Sequence, residues 1–540
     1  MKTIGLNGRN LTIEDVVEVS RERAQVELAA GAREQVMASR KFIDDMVAAN
    51  RLIYGVNTGT GPNVHHTVPA DKVNQLQTNI VRMLCCGMGE PLPQAVVRAT
   101  MTVRANSLSR GHSGIRIEVL ELLLAMINRG VHPVIYEQGS VGASGDLVPL
   151  AHMAAVLMGE GEAEYQGQRL PSVQALAQAG LQPLSLTAKE GLALVNGTSL
   201  MTAIGALAVG DTDQLIAVAE GTSAFALEML LGTYEPYDPR IQELRPYPGQ
   251  IATARNVLAL VQGSGYVRSP EGLRDELELE RSHLPQDDGH TLSHDLQDPY
   301  SLRCVPQIIG AVRDAVTFVR SIVGTDLNAV SDNPLIFSDD ATVLHGGNFQ
   351  GHHVAMAMDV LSLALNQLGI LAERRLARYV DDKYSLGLRP YLTQGLPGLN
   401  NGMMGVQLMA TSLVAENRLH ATPASIQSIP TNGNNQDVVS MGALAARKNM
   451  PLVKNTRRLL AVELFALCQA AEERGLDKLG RASRALYDYV RALVPALVED
   501  RPLADDLRRL ADSLGDGILA ERIGVLVGTP PAARRVTSVG

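Results

Sequence analysis

Apolar positions recur at helical spacing through most of the chain. Thr12, with Asp15 three residues on and Ile13, Val16 and Val17 around it, predicts an N-capped amphipathic helix. From Pro93 to Arg129 the spacing continues, broken near Gly111-His112-Ser113-Gly114. Ala355 to Tyr379 carries Met358, Leu361, Leu365, Leu368, Leu371 and Leu376, and its end is basic, with Arg374, Arg375 and Arg378. Leu452 to Ala471 repeats the pattern. Leu, Ala and Met dominate these stretches, while β-branched alternation is short and scattered. The expectation is a mostly α architecture of long packed helices. Helices this long, and apolar on more than one face, need partners, and assembly between chains is a natural way to cover them.

Glycine-rich polar stretches interrupt the helical pattern. They are Tyr54 to Gly61, Gly139 to Asp146, Val195 to Thr198, Leu327 to Pro334, Gly346 to Gly351 and Thr431 to Asp437. Polar loops held on a rigid scaffold are where chemistry concentrates.

Composition narrows the function classes. The 540 residues suffice for a large core, and a net charge of -9 spread through the chain offers no basic face for nucleic acid. Cys85, Cys86, Cys304 and Cys468 match neither a disulfide framework nor a zinc set, so a reducing, cytoplasmic setting is expected. Met1 to Gly8 lacks the apolar core of a secretion signal. Two uncharged runs, bounded by Glu190 and Asp211 and by Arg389 and Glu416, have membrane-span length. The first holds Asn196, Gly197, Thr198, Ser199 and Thr202, and the second is full of Gly, Pro, Asn and Gln. Both read as buried core with functional loops, and no membrane partner is expected. His290 and His294 stand four apart, as helical metal ligands would, but Pro285 and Gly289 disfavour a helix there and no Glu separates them. No metal is expected.

The richest candidate is Gly139 to Asp146. Its three glycines permit backbone approaches that Cβ atoms forbid. Attack of the Gly145 nitrogen on the Ala143 carbonyl, with loss of water there and from Ser144, would make a five-membered electrophilic ring. The tripeptide alone reads better as a plain turn. Its context decides: Gly139-Ser-Val-Gly-Ala-Ser-Gly-Asp-Leu-Val-Pro-Leu-Ala-His152 closely resembles the signature of the histidine, phenylalanine and tyrosine ammonia-lyases and their aminomutase relatives. So do Tyr54-Gly-Val-Asn-Thr-Gly, Leu194-Val-Asn-Gly-Thr, Tyr300-Ser-Leu-Arg303, Ser331-Asp-Asn-Pro, Gly347-Asn-Phe-Gln-Gly and Asn435-Gln-Asp-Val-Val-Ser-Met-Gly, in family order over roughly residues 50 to 445.

The resemblance implies a long-helix bundle of the fumarase/aspartase-like ammonia-lyase type, assembled as a homotetramer whose sites draw loops from three chains. It implies a 4-methylidene-imidazol-5-one group formed from Ala143, Ser144 and Gly145, and no external cofactor. Tyr54 takes the family's general-base position. Tyrosine ordinarily ionises near pH 10, so an activating environment is expected. Gly55, Gly59 and Gly61 suit a mobile lid over substrate, and Gly61 is placed among the substrate-binding residues. Arg303 corresponds to the carboxylate partner, assisted by Asn333. Tyr300 and Asn196 correspond to contacts of the ring and migrating amine, and Phe349 and Gln436 to ring packing and the pocket floor.

Within that family, Met83 and Leu84 occupy the pair that helps set the aromatic ring recognised. The pair departs from the family's standard versions but offers no hydrogen-bond donor, which favours phenylalanine over tyrosine. Asn435-Gln436-Asp437 argues against histidine, and Gln350 fits the phenylalanine side. The expected reaction is elimination of ammonia from L-phenylalanine, or L-tyrosine, to trans-cinnamate or p-coumarate. A 2,3-aminomutase making a β-aryl-β-amino acid is the first alternative and a histidine ammonia-lyase ranks behind it; a catalytically silent helical scaffold is the non-enzyme reading. The expected organisation is an N-terminal domain over 1–200 carrying lid and ring, a helical bundle over 201–528, and a loosely ordered tail over 529–540.

Overall fold

The computed structural model describes residues 2–285 and 289–528, so the 529–540 tail lies outside the described residues. The chain is mostly helical, as its periodicity predicts. Thr12 closes a reciprocal capping box with Asp15 at the head of helix Ile13–Arg21. The Pro93 to Arg129 pattern resolves into helices Gln94–Ser109 and Ile117–Arg129, broken at the glycines between them. The two later patterns become His352–Tyr379 and Asn449–Arg474, and a 31-residue helix spans Ser199–Met229.

Two compact units emerge. The first comprises Met1–Gly210, Phe318–Leu361 and Thr422–Met450. Segments 318–361 and 422–450, grouped by sequence with the central and C-terminal helices, thus pack with the N-terminal segment. Short strands decorate this unit. Thr3–Leu6 pairs in parallel with Gln25–Leu28, and Met88–Pro91 lies antiparallel to Tyr136–Gln138. His132–Pro133, Glu162–Tyr165 and Gln168–Pro171 form a three-stranded antiparallel sheet, and Leu335–Phe337 with Thr342–Leu344 makes a hairpin. Three mutually packed helices, Val73–Leu84, Leu147–Leu157 and Glu190–Val195, form the unit's inner scaffold. Leu147–Leu157 is buried nearly all round, which explains its unbroken apolar sequence.

The second unit comprises Asp211–Thr317, Ser362–Ala421 and Pro451–Gly540. At its heart Arg375, fully buried, meets Glu463 through Nε and Nη2 and also bonds the hydroxyls of Thr222 and Ser223. A buried cation is tolerated here because its donors are taken up by a carboxylate and hydroxyls.

Of the two uncharged runs, the first forms helix Glu190–Val195, the Asn196-Gly197-Thr198 break and the buried start of Ser199–Met229. The second forms a short turn at Pro390–Leu392 and helix Met404–His420. Among the described residues, only His352–Tyr379 is long and apolar enough to cross a membrane, and 72% of its most apolar window is buried in protein. The segment around His290 is not helical, and His290 bonds the Pro285 carbonyl.

Candidate active site

The inner scaffold of the first unit delivers three loops to one place. The Ala143-Ser144-Gly145 loop precedes helix Leu147–Leu157, Asn196 caps the end of Glu190–Val195, and Met83 and Leu84 close the end of Val73–Leu84. Two of these loops pair backbone to backbone. Gly197 N donates to Ser144 O at 3.1 Å, and Asp146 N donates to Gly197 O at 2.7 Å. No side chain fits the crossing: a Cβ on Gly145, whose φ is +69°, would lie 2.0 Å from Gly197 O. Among the described residues, the Gly145 nitrogen and the Ala143 carbonyl, the two groups that ring closure would join, hold no hydrogen bond. The Ser144 hydroxyl accepts from Gln436 Nε2 at 3.2 Å. Committed neighbours around two free reacting groups fit a loop that closes on itself.

Asp146 fixes the base of this loop. Fully buried, it accepts from Leu200 N and Met201 N at 2.9 Å each, capping the head of Ser199–Met229, and from Ser140 Oγ at 3.0 Å. Burial pushes its carboxyl up to about 7, against the pull of those donors.

Tyr54 rises from an apolar anchor in which Ile53 and Val56 pack with Ile43, Val73, Ala188 and Ile336. Gln77 clamps its base, donating to Gly55 O and accepting from Leu192 N. Gly55 needs its φ of +64°, and a Cβ there would strike Leu192 at 2.6 Å. Beyond it the Tyr54 hydroxyl accepts from Gly61 N at 2.9 Å, and the chain from Pro62 to Thr67 is exposed. His345, a neighbour that the sequence reading missed, meets the Tyr54 ring edge-on with centroids 6.5 Å apart.

These elements enclose a cavity of about 500 Å³, the size of a small-molecule site. Tyr54, Gly61, Met83, Leu84, Ala143, Ser144, Gly145, Asn196, Asn333, Phe349 and Gln436 all line it. Thr60, Gln350, Asn432, Asn435 and Asp437 also contribute, and all but Thr431 and Asn432 of the 431–438 lining follow from the Asn435-Gln-Asp motif. Among the described residues, its lining includes no Lys, Arg or His. Tyr300 and Arg303 are not among the lining residues. They sit in the second unit, where Arg303 stacks 4.5 Å over the Tyr300 ring and donates from Nε to Asp298 O at 2.8 Å.

Behind Asn196 lies a buried charge cluster. Lys189 Nζ is 2.7 Å from Asp332 Oδ2, with both side chains fully buried. Burial lowers the Lys189 ammonium, and the Asp332 charge opposes that fall. Arg104, also fully buried, stands close enough to feel Asp332.

The sequence matches the aromatic amino acid lyase family over residues 11–492. A histidine ammonia-lyase of Caldanaerobacter subterraneus subsp. tengcongensis is 43% identical over 522 residues, 96% of this chain and 98% of that protein. The chain belongs to the aromatic amino acid lyase family. It is a carbon–nitrogen lyase, of a family whose ammonia-lyases typically carry the 4-methylidene-imidazol-5-one group. Among solved structures, tyrosine aminomutase from Streptomyces globisporus superposes with a TM-score of 0.93 at 41% identity, covering 97% of this chain and 98% of its own. Phenylalanine aminomutase from Pantoea agglomerans gives 0.91 at 36% identity, covering 95% and 99%.

The raised Asp146 carboxyl makes a stability prediction for this lyase. A native state that holds a proton up to about pH 7, where the unfolded chain releases it near the ordinary carboxylate value, binds more protons than the unfolded chain between about pH 4 and 7. This group's contribution therefore falls as pH rises through that window and levels off above about 7. Urea midpoints of the parent and Asp146→Asn, measured from pH 4.5 to 8.5, should show the variant gaining on the parent up to about pH 7 and then holding constant. A difference that does not change with pH would show that Asp146 titrates normally.

Proposed function

We propose that this lyase eliminates ammonia from L-phenylalanine to give trans-cinnamate, with L-tyrosine to p-coumarate as its nearest competitor. The observation that carries the choice of ring is the apolar side of the cavity, where Ile80, Met83, Leu84, Val148, Leu192 and Val195 offer no hydrogen-bonding side chain. A phenyl ring needs none. A phenol would leave one polar group unpaired there, and an imidazole two, each at a cost of about 1–3 kcal/mol. That argument weighs against the histidine substrate named for the Caldanaerobacter relative.

Ala143, Ser144 and Gly145 would hold the 4-methylidene-imidazol-5-one group, which supplies an electrophile that makes the substrate's amine a better leaving group. The other residues bind, orient and move protons. The Tyr54 oxygen takes a proton from Cβ; the C–H electron pair becomes the new double bond, and the Cα–N pair leaves with the amine. The Gly61 amide fixes the Tyr54 oxygen at the cavity edge. Asn196 receives the amine, Phe349 packs the aromatic ring, and Gln436 steadies Ser144. A carboxylate in this cavity meets Asn333 but no lining cation, so Arg303, with Tyr300, is supplied by another copy of the chain in a homotetramer.

A 2,3-amino shift is the second reading, favoured by the likeness to the two aminomutase structures. It shares every residue above and differs in whether ammonia returns to Cβ before escaping.

Incubation with L-Phe, L-Tyr and L-His separately, with ultraviolet and chromatographic analysis of products, tests this reading. Cinnamate and free ammonia from L-Phe, formed faster than product from the other two, is the expected result. A β-amino acid with little acrylate would establish the mutase instead, and turnover of L-His alone would overturn the choice of ring. Mixed tetramers of Tyr54→Phe and Arg303→Ala chains, each inactive alone, should regain part of the parental activity. No recovery in verified mixed tetramers would contradict shared sites.

A further inference from the structure

Two of the cavity's asparagines, Asn196 and Asn333, are each held in one amide orientation. Asn196 Nδ2 donates to Asp332 Oδ1 at 3.1 Å and to Asn333 O at 3.3 Å. Both neighbours are acceptors only, so the nitrogen must face them and the amide oxygen is the atom left for a ligand. Asn333 is fixed in the opposite sense. Its Oδ1 accepts from Gly346 N at 2.8 Å, which leaves its NH₂ as the free end. One amide thus offers an acceptor, suited to an amine, and the other a donor, suited to a carboxylate.

Asp332 sets the Asn196 orientation and holds the Asn333 backbone. Its Oδ1 also accepts from Asn333 N at 2.7 Å, and its Oδ2 is taken by Lys189 Nζ at 2.7 Å. Lys189 reaches it from a backbone with φ of +73°, a region rarely used by residues with a Cβ, at the head of helix Glu190–Val195. Strain held under a fully buried cation bonded to a buried carboxylate is the mark of a group kept for what it positions.

We propose that Lys189 and Asp332 form a positioning pair that holds the Asn196 amide oxygen toward the cavity, making the site selective for ligands that bear an amine. The inference rests on the amino-acid substrate read above. Because Lys189 donates only, it keeps an oxygen of its partner facing it. Replacing Asp332 by asparagine would turn the new NH₂ toward both Asn196 and the Asn333 N–H. Set donor against donor, the Asn196 amide flips, giving up its longer bond to the Asn333 carbonyl and putting its nitrogen where the oxygen had been. Removing the lysine as well frees the new amide to turn back and restores the original orientation.

The test uses binding, in a Tyr54→Phe background that does not turn over. L-phenylalanine and trans-cinnamate, which lacks the amine and carries a Cα–Cβ double bond, are titrated calorimetrically. Asp332→Asn should weaken L-phenylalanine roughly tenfold to a hundredfold, the worth of one hydrogen bond to a charged group, and leave cinnamate within about twofold. Lys189→Met/Asp332→Asn should recover most of the lost affinity for L-phenylalanine. Equal weakening of both ligands, or no weakening of either, would overturn the proposal. If Asp332→Asn alone does not fold, the double variant decides: the parental preference for L-phenylalanine supports the pair's role, and its loss contradicts it. A Tyr54→Phe parent that binds neither ligand would instead sink the substrate reading itself.

Discussion

One backbone crossing governs the first unit. Gly145 and Gly197 pass so closely that neither tolerates a Cβ: at Gly145 it would strike Gly197 O, and at Gly197 it would lie 2.4 Å from Arg104 Nη1 and 2.5 Å from Ser331 O. The two hydrogen bonds across this crossing place Ser144 beside Asn196 at the cavity wall. They also bring Asp146 to the head of the Ser199–Met229 helix, whose first amides it caps. Loop, asparagine and long helix are therefore positioned by a single contact that only glycine permits. The same contact occupies the backbone groups flanking the tripeptide while leaving the Gly145 nitrogen and the Ala143 carbonyl unbonded.

Around that crossing the site is polarised by buried groups rather than by surface charge. Asp146 lies in front of the long helix, and the Lys189–Asp332 pair lies behind Asn196. Each holds hydrogen bonds to protein partners, which is what lets ionisable groups persist without solvent. Among the described residues, the cavity itself is lined by amides, hydroxyls, one carboxylate and apolar side chains, with no cation. An amino-acid ligand would find partners for its amine and part of its carboxylate in one chain and would need a positive charge from elsewhere. That gap is the physical reason for assigning Arg303 to a neighbouring copy.

Much of this was legible in the sequence, for reasons that differ between parts. The helices announce themselves because a buried stripe demands 3.6-residue spacing, and the capping box at Thr12 and Asp15 is a local pattern that needs no tertiary context. The Ala143-Ser144-Gly145 loop and the Asn196, Asn333 and Gln436 segments stand out because polar, glycine-rich sequence is costly inside an apolar scaffold unless it has a use. What escaped depends on three-dimensional neighbours. Nothing local marks Lys189 as buried opposite Asp332, 143 residues away. His345 meets Tyr54 only because its loop folds back, and segments 318–361 and 422–450 join the N-terminal unit through packing that periodicity does not encode.

The most direct measurement is the mass of the proteolytic peptide spanning Ala143 to Gly145, taken from freshly folded protein and from a Ser144→Ala control. A parent peptide lighter than its sequence by two waters, with the control lighter by at most one, is the result expected of a loop built to close on itself. A parent peptide at full mass would contradict it, and with it the chemistry assigned to this cavity.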